Sequence, residues 1–84
     1  MYLKIMNPQR DGEFSLLTVS DDVHVGIPPE GVEPTVVHEY HSGVAIPRRQ
    51  LYFFNEETLQ PHLVVFPANT AFLMNADGRT IERL

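Results

Sequence analysis

Chain breakers constrain this protein more than any other feature. Seven prolines and five glycines are spread along 84 residues, and the longest windows free of both are 13–25 and 48–60. An amphipathic helix needs an apolar stripe at period 3.6 over ten or more residues, and no segment supplies one. The stretches between breakers are rich in Val, Ile, Leu, Phe, Tyr and Thr, which suit a pleated, half-buried surface. The spacing predicts strands over Tyr2–Met6, Glu13–Val19, Val23–Ile27, Thr35–His41, Gln50–Phe54, His62–Phe66, Ala71–Asn75 and Arg79–Leu84, with a brief one at Val44–Ile46.

The turns follow from the same residues. Asn7-Pro8 and Asp11-Gly12 mark a long hairpin loop, and Asp77-Gly78 marks a tight one, because Gly supplies the positive φ that tight turns require. Pro28, Pro29 and Pro34 make an extended connection that cannot pair as a central strand. Asn55–Gln60 can form one short helical turn, with the Asn55 side chain accepting from the N–H of residue 57 or 58 and Pro61 ending it. The predicted fold is all-β: a small antiparallel sandwich or barrel of about seven to nine short strands in a single domain, 1–84.

Four of these strands are apolar at consecutive positions: Leu16-Leu17, Leu51-Tyr52-Phe53-Phe54, Leu63-Val64-Val65-Phe66 and Phe72-Leu73-Met74. Successive strand residues point to opposite faces, so such strands call for cover on both sides. A two-layer domain covers one face of each sheet. Size makes the same point. Burying ~8,800 Å² of surface, ~60% of it apolar, yields about 130 kcal/mol, against about 126 kcal/mol to order 84 residues. A lone subunit is marginal, and a second copy or a ligand is the expected remedy. The residues expected at that interface are Tyr52, Phe54, Val64, Phe66 and Leu73.

Composition excludes several function classes. There is no cysteine, so disulfides, thiolate metal sites and thiol catalysis are absent. The net charge of −5 argues against direct nucleic-acid binding through many neutralised phosphates. No membrane span and no signal-like apolar run are visible, so a cytoplasmic location is expected.

Against that acidic background, Arg48-Arg49 precedes Leu51-Tyr52-Phe53. Guanidinium groups suit a phosphate or carboxylate, and a ring beside them can stack on a base. The expected ligand-binding residues are Arg48, Arg49, Tyr52, His38 and Tyr40. They point to a non-enzymatic, homo-oligomeric protein that binds or sequesters a small anionic, nucleotide-like ligand near a subunit boundary. The competing reading is a protein–protein interaction module or inhibitor that uses the same apolar faces, with the Ile27–Pro34 loop as its rim. In build the chain resembles small phage or bacterial accessory proteins.

A third reading, a His-based hydrolase or metal site, rests on His24, His38, His41 and His62. His38-Glu39-Tyr40-His41 spaces its histidines three apart rather than the four of the helical zinc motif, and on a strand they face opposite ways. No metal or cofactor is therefore expected. Ser15, Ser20, Ser42, Thr35 and Thr70 are available nucleophiles, but none sits in a catalytic sequence context.

Overall fold

The computed structural model describes residues 1–40, 47–55, 57 and 60–84. Eight strands form in chain order: β1 (Tyr2–Met6), β2 (Phe14–Thr18), β3 (Val23–Val25), β4 (Thr35–His38), β5 (Arg48–Phe54), β6 (Pro61–Pro67), β7 (Ala71–Met74) and β8 (Thr80–Arg83). They make two four-stranded sheets, β2-β1-β7-β8 and β3-β5-β6-β4. The two sheets share one core, so the all-β class read from the sequence is observed, and of its two alternatives, sandwich or barrel, the arrangement is sandwich-like. Among the described residues no helix is long and apolar enough to cross a membrane.

Local chemistry accounts for the connections. Asn75 Oδ1 accepts from the N–H groups of Asp77 and Arg79, both at 3.0 Å, and Gly78 takes φ +83°, which closes the β7–β8 hairpin. Asn55 Oδ1 accepts from Glu57 N–H at 2.9 Å, as expected. The same residue's N–H donates to Gln60 O at 3.0 Å and so closes the β5–β6 hairpin. The rest of the expected helical turn (Glu56, Thr58, Leu59) and the brief strand expected at 44–46 lie outside the described residues.

β6 is a central strand with a proline at each end. Pro61 and Pro67 pair at the ends of the β5 ladder, opposite Phe54 and Arg48, where a missing N–H interrupts little. One pairing departs from the antiparallel pattern: β4 runs parallel to β6, with a bulge between Val36 and His38. The cause is the proline-bearing connection from β3 to β4, which carries the chain from one edge of the sheet to the other.

Alternation decides which apolar residues meet. Leu3, Ile5, Ala71 and Leu73 of one sheet face Leu51, Phe53, Val64 and Phe66 of the other, with Val19 and Leu84 completing the core. Three of the expected interface residues are thereby corrected. Val64 and Phe66 are fully buried and Leu73 is 6% exposed within one subunit, so they cannot meet a second copy. Val64 lies in register with core Leu51, and Leu73 with core Leu3, which fixes their inward parity. Tyr52 and Phe54 have the opposite parity and are half-buried on the outer face.

The outer faces remain apolar. Leu63 and Val65 flank Tyr52 on one, while Tyr2, Phe14 and Leu16 are 38%, 52% and 55% exposed on the other. The subunit exposes 5646 Å². A compact monomer of this mass would expose ~5,100 Å², so the surplus is roughly 550 Å².

Candidate functional site

β5 begins at Arg48, two residues earlier than the sequence suggests. Ala68 N–H donates to Pro47 O at 2.8 Å, which extends the β5–β6 ladder past Arg48 and Arg49. Both arginines are therefore strand residues, with neighbouring side chains leaving opposite faces. They still line one open groove of about 480 Å³, together with Gly26, Ile27, Gln50 and Val65. β3 brings Gly26 there, since its N–H donates to Gln50 O at 2.9 Å.

The charge balance of this groove is unusual for an acidic chain. Arg48 Nη1 reaches only the backbone oxygen of Tyr40, at 3.5 Å. The ion pairs among the described residues are Met1–Asp21 and Arg10–Glu13, and His24 is hydrogen-bonded to Asp22; none of these involves Arg48 or Arg49. Two exposed guanidinium groups therefore line the groove with no carboxylate partner among the described residues. Val65 and Ile27, the latter 80% exposed, give it apolar walls.

The other three expected ligand residues are placed differently. Tyr40 is held beside Arg48 through its backbone, its N–H donating to Val65 O at 3.2 Å, while its buried hydroxyl has no hydrogen-bond partner among the described residues. Tyr52 shares the outer face with Arg48 but lies four residues along the strand, ~13 Å away. It stacks on His24, with ring centroids 5.1 Å apart and planes at 20°, and Phe54 meets both rings edge-on. His24 is fixed in turn by Asp22 Oδ1 at 2.6 Å. His38 is not part of the groove, because it pairs in register with core Val64, across β6 from β5. Sequence reasoning missed Gly26, Ile27 and Val65, whose approach to the arginines depends on strand pairing.

Among the described residues, His24, His38 and His62 do not converge. His24 lies on the outer face of β3, and His62 packs edge-on against Phe53 at 5.3 Å. His41 lies outside the described residues. Among the described residues no three His, Asp or Glu side chains gather to hold a metal ion. A second groove, of about 600 Å³, opens between the sheets and is lined by Ser20, Val37, Phe53, Glu57 and His62. Ser20 Oγ is buried there and has no hydrogen-bond partner among the described residues, so it is not engaged with His62. No family model, curated protein or solved structure matches the chain.

Proposed function

We propose that this chain is a non-enzymatic binding protein. It takes a small anionic, nucleotide-like ligand at the Arg48–Arg49 groove and works as a homo-oligomer. The observation that carries the reading is the pair of guanidinium groups at one groove, neither with a carboxylate partner among the described residues, in a chain of net charge −5. Guanidinium binds phosphate and carboxylate through paired N–H donors, and the Val65 and Ile27 walls offer an apolar surface to a ring. The cluster of half-buried Tyr52 and Phe54 with exposed His24 on the same outer face supplies an aromatic patch of the kind that anchors subunit contacts.

Thermal unfolding with inorganic phosphate and with adenosine monophosphate tests the ligand half. At ~100 times its dissociation constant a ligand adds about 2.7 kcal/mol of stability. The wild-type chain should melt higher with either anion, and Arg48→Ala with Arg49→Ala should remove the shift. A flat response in the wild type, or an unchanged shift in the double variant, overturns the assignment.

The second reading, a protein–protein module, is favoured by a separate observation. Edge strand β4 leaves Val36 and Val37 50% and 42% exposed, and an edge of that kind can accept an added strand.

A further inference from the structure

The outer face of the β2-β1-β7-β8 sheet forms a lattice fixed by its registers. One row runs Phe14–Met6, the next Leu16–Lys4–Phe72–Arg83, and the third Thr18–Tyr2–Met74–Thr80. No outward position of these strands is a carboxylate, although the chain has eleven Asp and Glu against six Lys and Arg. The face instead holds two cations, each against a ring. Lys4 Nζ lies 4.3 Å from the Phe14 centroid and Arg83 Cζ lies 5.7 Å from that of Phe72. Neither cation meets a carboxylate among the described residues; Arg83 only donates to Asn69 O at 3.4 Å.

We infer that this face is a stacking platform for single-stranded nucleic acid. Three aromatic rings on three adjacent strands offer π surfaces to splayed bases; Lys4 stands between Phe14 and Phe72, and Arg83 flanks Phe72 on the edge strand, so both cations can meet phosphates. On the strand lattice Phe72 lies ~8 Å from Tyr2 and ~12 Å from Phe14, spacings that successive or alternate nucleotides of an extended strand can span. A second copy fits the face less well, because a two-fold axis across the strands would set Lys4 against Lys4 and Arg83 against Arg83. The net charge of −5 argues against a duplex binder that neutralises many phosphates. It does not govern one face whose outward strand positions carry no carboxylate. This site is separate from the Arg48–Arg49 groove, which belongs to the other sheet.

Fluorescence anisotropy with labelled dT and rU 12-mers, beside a DNA duplex, tests the inference. Dissociation constants on the order of 10 µM are expected for the single strands, with weaker duplex binding. A preference between dT and rU identifies DNA or RNA as the source. With two phosphate contacts the logarithm of affinity should fall against the logarithm of salt with slope about −1.4, and Lys4→Gln should halve that slope. Phe14→Ala and Phe72→Ala should each weaken binding about 5- to 150-fold. Phe14 is 52% exposed on an edge strand, so its variant should stay folded. The Arg48→Ala, Arg49→Ala variant should bind as wild type, which keeps the two sites distinguishable. Equal duplex affinity, no single-strand binding at low salt, or full binding by both aromatic variants overturns the inference. So does attachment to phosphatidylcholine–phosphatidylserine vesicles that the oligonucleotides do not displace.

Discussion

Phe66→Ala separates core from interface most sharply. The sequence alone places Phe66 at a contact between subunits, whereas in the fold it is fully buried between the two sheets of one subunit. Removing a buried phenyl ring costs about 3–5 kcal/mol, from lost transfer energy plus the cavity left behind. A domain of this length has a total stability of about 4–13 kcal/mol, so the variant loses a large part of it. With an unfolding entropy of about 2.1 cal/mol/K per residue, the melting temperature should fall by roughly 17–28 °C. Thermal unfolding by circular dichroism, at protein concentrations about twenty-fold apart, reads both the size of the drop and its concentration dependence. A core residue gives the same drop at both concentrations. A drop under ~5 °C, or one that shrinks on dilution, refutes the inward placement of Phe66.

The outer-face residues behave differently. Tyr52→Glu removes the ring that stacks on His24 at 5.1 Å and puts a charge on the outer face, so the subunit should stay folded while its solution mass falls. Loss of cooperative unfolding in this variant would place Tyr52 in the core. Gly78→Ala meets no atom within 4 Å but must hold φ +83°, so it should lose about 1–2 kcal/mol from the backbone alone in chemical denaturation. A neutral result would mean that the β7–β8 turn adopts another conformation.

Much of the fold is legible because turn chemistry is local. Asp77-Gly78 and Asn55 act within a few residues, and their turns form where the sequence puts them. Strand existence follows from composition, and all eight strands overlap their predicted spans by most of their length. β4, however, pairs parallel to β6, and pairing direction is set by a connection whose path no local rule fixes.

Parity was hidden for a related reason. In Leu63-Val64-Val65-Phe66 all four residues are apolar, so alternation shows that two face inward without showing which two. The register with Leu51 settles it in favour of Val64 and Phe66. The candidate site is legible in part. Arg48 and Arg49 stand out as adjacent arginines in an acidic chain, but Gly26 and Ile27 join them only through the β3–β5 pairing. The aromatic face of the other sheet escaped notice because Lys4 and Phe72 are far apart in the chain and meet only where β1 pairs with β7.

The central claim is that one subunit leaves apolar sheet surface that another molecule must cover. Light scattering of the untagged chain across a dilution series tests it most directly, together with the same series for Tyr52→Glu. The account predicts a mass that is a multiple of 9.6 kDa for the wild type and a single-subunit mass for the variant. A single-subunit mass for the wild type at every concentration would contradict it.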